Sequence, residues 1–416
     1  MTDALPSGPV APQSPPHGGH HLPSVLSQPR DARPSHATST GSGGRRRPRR
    51  RVVVGLLGGF VVVGGLATAQ VSADLGYDDA RSDFETASRS FQAQSTEVDH
   101  RYGELVESTE AGHVILDTGD TSLPVPDDAW DSLMSAVADG EAIGAEVEKV
   151  AAATPPQSGE KPSWFWELFG ATAELHADQE RVEDLVDDLR KASTDAADGR
   201  TAVSESGIAV VTAAGSAADT FEAGHLSARN DAVIALRAAA ADASAVTAVD
   251  DATASVYVAL QEAAAQVVAT EAEEMAEKAG PLRNARLEIE AFARTLAPGV
   301  LLEFDWAPVV NGAGYNGSMG GYTTWWWDTP GRAVIELSDS VAEQWPAERS
   351  KALVAHEVGH AISVKCQDMY DSSTQDSIEK WATAWAISMG FTDDANGVWA
   401  YGYPPQNYID AAAGCR

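Results

Sequence analysis

Residues 356–360 read His356-Glu357-Val358-Gly359-His360. On a helix, positions i and i+4 stand one turn apart on the same face, so both imidazoles can reach one small cation, and Glu357, about 100° further round, faces that cation's open side. The chemistry this suits is metal-assisted hydrolysis. Zn2+ held by three protein groups keeps a fourth position for water, whose pKa it lowers to about 7. Glu357 is the expected general base, taking a proton from that water and handing it to a leaving amine. The competing account is a pair of surface histidines on an ordinary helix.

A third ligand has to come from elsewhere, and no histidine follows His360. Carboxylates and Cys366 remain. Glu379 is the expected ligand: it lies 19 residues beyond His360 on a separate helix, far enough for the chain to turn back onto the same ion. Asp368, Asp371 and Asp376 are the reserves, and a solvated charge beside Lys380 is the alternative role for Glu379.

The elements that must position these groups are legible nearby. After Ala297-Pro298-Gly299 the composition turns to short β-branched and aromatic runs, Val300 to Phe304, Tyr322 to Trp327 and Arg332 to Leu337, which read as strands. Thr329-Pro330-Gly331-Arg332 sets Pro and Gly at the centre of a type II turn, so the last two strands form a hairpin. Trp345-Pro346-Ala347-Glu348 opens a helix, with Pro at its first position and an acid in its first turn. That helix carries both histidines. Ser372 and Ser373 are candidate caps for a second helix over roughly 374–389, which carries Glu379, and a Tyr-, Pro- and Gly-containing loop closes the chain. Trp325-Trp326-Trp327 alternates across a strand, one face to the core and one exposed.

The motif His356-Glu357-x-x-His360 followed by Glu379 resembles the zincin metallopeptidases, and within them the gluzincin group, whose third ligand is a glutamate on the helix after the active-site helix. The resemblance covers about residues 330–390. It departs from the thermolysin-like subgroup, since Ile378 precedes the third ligand and Ala382-Thr383 follows it. The metzincin pattern fails too, with Ser363 and Cys366 at its Gly and third His positions. The resemblance implies that the strand before the active-site helix, Val334 to Leu337, is a sheet edge along which an extended peptide lies. An oxyanion-stabilising group is also expected, and Tyr401, Tyr403 or Tyr408 could supply a phenol.

Charge is split unevenly. Residues 1–51 hold eight Arg against Asp3 and Asp31, a net +6, which leaves −38 of the chain's total of −32 to the rest. So acidic a body excludes nucleic acid as a partner. Between Arg51 and Asp74 no residue is charged. At 1.5 Å per residue, Val52 to Ala73 reaches roughly 33 Å, enough for a transmembrane signal anchor. The preceding Arg45 to Arg51 cluster then keeps the N-terminus cytoplasmic and sends the remainder across the membrane. A cleaved leader, with Ala67-Thr68-Ala69 as its site, is the alternative. Cys366 and Cys415 are the only cysteines, and an exported chain would join them in a disulfide.

Four segments follow: a disordered basic cytoplasmic tail, 1–51; the membrane anchor, 52–73; a helical and partly coiled-coil stalk, 74–297; and a zincin-like metallopeptidase domain, 298–416. The stalk reading rests on Ala80, Phe84, Ala87, Phe91, Val98 and Leu105 at steps of three and four, on helical sequence from about 127 to 152, and on Ala-rich helix up to Gly280-Pro281 and again to about Leu296. The fold class is α+β: a short sheet with an active-site helix and a glutamate helix, preceded by the all-α stalk and one membrane helix. The functional expectation is an extracytoplasmic, cell-membrane zinc peptidase with a peptide or protein substrate, self-associating through its helices. The rivals are a non-enzymatic helical scaffold with a zincin-like binding module, and a zinc amidase acting on cell-wall material.

Overall fold

A seven-residue repeat of apolar side chains packs the two longest helices. In the computed structural model, which describes the backbone of residues 54–416 and side chains from Leu66 onward, α1 (Val54–Thr118) buries Tyr77, Phe84, Phe91, Val98 and Leu105 at that spacing. α2 (Asp127–Ala151) follows, then α3 (Phe165–Gly224), which buries Leu168, Leu175, Val182, Leu189, Ala196, Val203 and Val210 at the same spacing. A strict heptad keeps one stripe facing its partner over many turns. α1 and α3 run in the same direction. Lys161, just ahead of α3, pairs with Asp74 and Asp78 at 3.3 and 2.7 Å, and much further along Arg200 reaches Glu104 at 3.5 Å. α2 returns antiparallel, burying Leu133 and Val137.

The helical sequence then breaks twice more than expected, into α4 (Asn230–Ser244), α5 (Asp251–Glu277) and α6 (Arg283–Leu296). Asp250 caps α5 by accepting from the Thr253 N–H at 2.8 Å, which stops any continuous helix from α4. From α5, Gln261 Oε1 accepts from the Ser122 and Leu123 N–H groups at 3.1 Å, and the Tyr257 hydroxyl donates to Gly119 O at 2.8 Å, so the α1–α2 turn is held by a distant helix.

The fold class and the membrane anchor require correction. Among the described residues the protein is 71% helical with one small three-stranded sheet, and no helix there is long and apolar enough to cross a membrane. The expected transmembrane segment 52–73 is not supported. The single-pass cell-membrane location, with its cytoplasmic N-terminus and extracytoplasmic remainder, rested on that segment and falls with it. The reason shows at its far end, where α1 runs on without a stop. Gln70 Nε2 donates to Ser163 O at 3.3 Å, Ala73 is buried in the seam that also holds Leu168, and Asp74 pairs with Lys161. An uncharged stretch of sequence does not reveal polar partners some 90 residues away. The expected tail 1–51 lies outside the described residues, as do the side chains of 52–65.

β1 (Leu301–Ala307), β2 (Gly321–Trp325) and β3 (Arg332–Ser338) form the sheet in the order β1-β3-β2. β2 and β3 make the expected hairpin, with Gly321 opposite Leu337 and Trp325 opposite Ala333. β1 adds parallel to β3 on its other side, Leu301 against Arg332. Val334 to Leu337 therefore lies in the central strand and not at an edge, a second correction: both of its sides are already paired. After β3 come α7 (Asp339–Glu343), α8 (Glu348–Ser363), a 3-10 turn (Val364–Met369), α9 (Gln375–Ser388), and, where a loop was expected, α10 (Val398–Tyr401) and α11 (Gln406–Ala412). α6 shares their core: Ile289 and Ala293 pack with Phe304, Ile335, Val358, Trp381 and Trp385.

Cys366, in the 3-10 turn after α8, is bonded to Cys415, 49 residues on, with Cα atoms 5.9 Å apart. The bond ties the C-terminus to the end of α8, and Trp385 Nε1–H donates to Cys415 O at 2.9 Å. Closing a loop of that length removes unfolded-state entropy equivalent to about 3–4 kcal/mol. The Cys366→Ser, Cys415→Ser double variant is therefore expected to lose stability of that order, read as a lowered midpoint in denaturant titration, with a slope that rises because the uncrosslinked unfolded chain exposes more surface.

Candidate metal centre

α8 is buried on nearly every side from Ala352 to Ser363, because β2 and β3 cover one face and α9 the other. α8 and α9 cross closely at Gly359, where a Cβ would stand 2.8 Å from Ala382 O, so no larger residue fits without parting the helices. That crossing carries Glu379, one turn before Thr383 on α9, onto the histidine face of α8. Thr374 starts α9 by accepting from the Ser377 N–H at 3.3 Å, where Ser372 and Ser373 were the expected caps.

Three donor atoms converge. His356 Nε2 lies 3.2 Å from Glu379 Oε2 and 3.2 Å from His360 Nε2, and His360 Nε2 lies 3.1 Å from the same carboxylate oxygen. All three residues are buried. His356 Nδ1–H donates to Asn396 O at 2.8 Å, which leaves the Nε2 lone pair directed at the other two groups. The donor set suits zinc. Bonds of about 2.0–2.1 Å in a tetrahedral site separate neighbouring ligand atoms by about 3.3 Å, close to the spacing found. His360 Nδ1 is buried without a hydrogen-bond partner, and its ring is held by stacking: Trp325 lies parallel to it at 5.3 Å. Glu379 is anchored through its other oxygen, which accepts from Gln375 Nε2 at 2.6 Å.

In the metal-free chain the three groups are electrostatically coupled. Burial alone would push Glu379 up, but hydrogen bonds from His356 and His360, and their charges, hold its carboxyl far below the ordinary range. For His356 burial is the largest influence and pulls the pKa down. It is outweighed by the Glu379 hydrogen bond and the charges of Glu357 and Glu379, so the net shift is upward.

The reserve ligands are elsewhere. Asp371 accepts from the Ser373 N–H and hydroxyl, Asp376 pairs with Lys380 at 2.6 Å, Asp368 is exposed, and Cys366 is in the disulfide. Glu357 is not one of the three donors and its carboxylate meets β2. Its Oε2 accepts from the Thr323 hydroxyl at 2.7 Å, and a Cβ on Gly321 would come within 2.7 Å of its carboxylate carbon.

Of the three tyrosines, Tyr401 is at the site, its ring parallel to His356 at 5.9 Å. Its pKa is pushed up to about 12, first by burial and then by the nearby charges of Glu379 and Glu357, so its phenol keeps a proton to donate. Tyr403 is 69% exposed, and Tyr408 is engaged with the Ser377 hydroxyl at 2.9 Å. A cavity of about 380 Å³ opens onto His356 and Glu357, walled by Gly320 and Gly321 on one side, Leu353 of α8 beneath, and Trp399 and Tyr401 opposite.

Several supporting residues escaped the sequence reading. Thr323 and Trp325 had a signal in the two-residue alternation that puts them on one strand face with Gly321, and Gln375 lies one turn from Glu379. Asn396 had none, because its carbonyl is offered by a loop whose course follows from Gly397, at φ +102° and with no room for a side chain beside His356. A second acidic group, Glu274, Glu303 and Asp305, also has its oxygens within 4.8 Å, but there Glu274 is already paired with Arg229 and Lys278 at 2.9 and 3.0 Å. No family model matches this chain, and neither does any curated protein or solved structure.

Proposed function

We propose that this protein is a zinc-dependent peptidase. The observation that carries the reading is the convergence of His356 Nε2, His360 Nε2 and Glu379 Oε2 to within 3.2 Å of one another, with a buried carboxylate, Glu357, beside them on the cavity side. Its likeness to the zincins in the His356 to His360 motif supports the same reading.

Zinc bound by these three residues would supply Lewis acidity, acidifying a water and polarising a carbonyl. Glu357 takes a proton from the water as its oxygen attacks the peptide carbonyl carbon. It returns the proton to the nitrogen as the carbon–nitrogen bond breaks. The Tyr401 phenol, protonated below about pH 12, donates to the oxyanion that develops in between. Substrate backbone pairs with the outer side of β2, which among the described residues bonds to β3 on its inner side only. One side chain enters the 380 Å³ cavity beside Glu357.

The test is metal analysis of the purified full chain, followed by a peptide-library digest with and without a chelator. Near-stoichiometric zinc, with cleavage that the chelator abolishes and zinc restores, is the expected result. A chain that binds no zinc is a helical scaffold with a binding module, and one that binds zinc but leaves every peptide intact points to another amide, such as cell-wall material. Either outcome overturns the proposal.

A further inference from the structure

One face of β2 is devoted to α8. Gly321, Thr323 and Trp325 alternate along the strand onto the same side. Gly321 leaves the space that the Glu357 carboxylate fills, Thr323 bonds that carboxylate, and Trp325 stacks on His360. Thr323 is buried, and its hydroxyl oxygen lies 2.7 Å from Glu357 Oε2 and 3.1 Å from the Glu357 backbone oxygen. A hydroxyl has one proton to donate. The shorter distance and the carboxylate's charge assign it to Oε2. Among the described residues no other hydrogen-bond donor to the Glu357 carboxylate is present.

We infer that Thr323 is the positioning residue for the general base. The inference rests on the peptidase reading for its activity arm, but the contact itself does not. A glutamate has three rotatable side-chain bonds, and a base serves only from the orientation that meets its proton. The Thr323 hydroxyl holds one carboxylate oxygen to the strand and leaves the other to face the cavity. The strand that aligns substrate backbone then also aims the base, so both are set by one rigid element.

The test compares Thr323→Val, Thr323→Ala and Thr323→Ser with wild type in the zinc-loaded full chain. Val keeps the shape and removes the donor; Ala is run beside it so that a folding defect in one leaves the comparison intact. Losing a hydrogen bond to a charged group is expected to lower kcat by roughly 10- to 100-fold with KM within about twofold and zinc content unchanged. Thr323→Ser is expected to recover most of kcat. In a Glu357→Ala background, Thr323→Val is expected to lower residual turnover no further.

A second arm needs neither zinc nor activity: the thermal midpoint of the metal-free chain for Thr323→Val, Glu357→Ala and the double variant. Non-additive shifts are expected, because the two side chains share one bond. Additive shifts, an unchanged kcat, zinc loss in Thr323→Val or failure of Ser to rescue would each overturn the inference. If wild type cleaves nothing, the peptidase reading fails and the thermal cycle alone decides whether Thr323 holds Glu357.

Discussion

Glu357→Ala is expected to keep its zinc and lose its turnover. None of the three converging donor atoms belongs to Glu357, and its carboxylate is turned toward Thr323 and Gly321. Removing it leaves the ligand set whole, so metal content by elemental analysis stays that of wild type. Positioned acid–base groups contribute about 10²- to 10⁴-fold, and kcat for peptide cleavage should fall on the order of 10³-fold. Stability should not fall with it. The side chain is a buried carboxylate with a single hydrogen-bond partner, a costly state for a charge, and its removal relieves that cost. A thermal midpoint equal to or above that of wild type is the accompanying result. Zinc loss on this substitution would show that Glu357 is a ligand and that the assignment of roles is wrong.

Glu379→Ala is expected to abolish both zinc retention and cleavage. Two imidazoles on one helix turn cannot complete a three-ligand site, and no reserve carboxylate or thiol lies close enough to substitute. The wild-type chain should gain roughly 2.7 kcal/mol of stability at a free zinc concentration one hundred times its Kd. The variant should gain none, which a thermal-shift titration reads directly.

The pH dependence follows from the same pair. In the metal-free chain Glu379, held low, contributes stability that is present above its unfolded value of about 4.3 and is lost as pH falls through the depressed value. His356, raised, contributes stability that is present below about 6.5 and is lost as pH rises through the raised value. The metal-free chain is thus favoured by this pair between about pH 4 and 6.5. Zinc needs neutral imidazoles and competes with that proton, so the gain from zinc should grow as pH rises above this window. A zinc-induced shift independent of pH, or one shared by Glu379→Ala, would contradict the ligand assignment.

Much of this was legible along the chain because its causes are local. His356 and His360 share a face wherever that segment is helical, and Glu348 opens that helix, although Pro346, expected at its first position, lies ahead of the Ala347 cap. The spacing of Phe84, Phe91, Val98 and Leu105 announces a seam for the same reason, since helix geometry repeats within a few residues. Glu379 emerged by elimination and by the reach of a second helix. The uncharged run 52–73 was legible too, but it was misread. A window of composition counts only its own residues, whereas Gln70 and Asp74 meet Ser163 and Lys161 from the chain ahead of α3.

The strand order is the sharpest contrast. Each strand is visible as a β-branched or aromatic run, yet nothing in Val334 to Leu337 says that Leu301 to Ala307 will pair in parallel on its far side. That pairing moves the free edge beside α8 from β3 to β2. It thereby brings Gly321, Thr323 and Trp325 against Glu357 and His360. Tyr401, Tyr403 and Tyr408 were equivalent as letters and become distinct only when the turns at Gly397 and Gly402 set one ring parallel to His356 and leave the others outside.

The amino-acid order by itself determined the histidine-bearing helix, the glutamate helix, the heptad seam and the two imidazoles on one turn, because each depends on steric and hydrogen-bonding preferences acting over fewer than about ten residues. Only the tertiary structure decided how the Glu379 carboxylate meets those imidazoles, which tyrosine faces them and which hydroxyl holds the base. Those groups come from α9, from α10 beyond it and from a strand more than thirty residues upstream of Glu357, and they meet only where the crossing at Gly359 and the pairing of β2 with β3 bring separate elements together in a shared core.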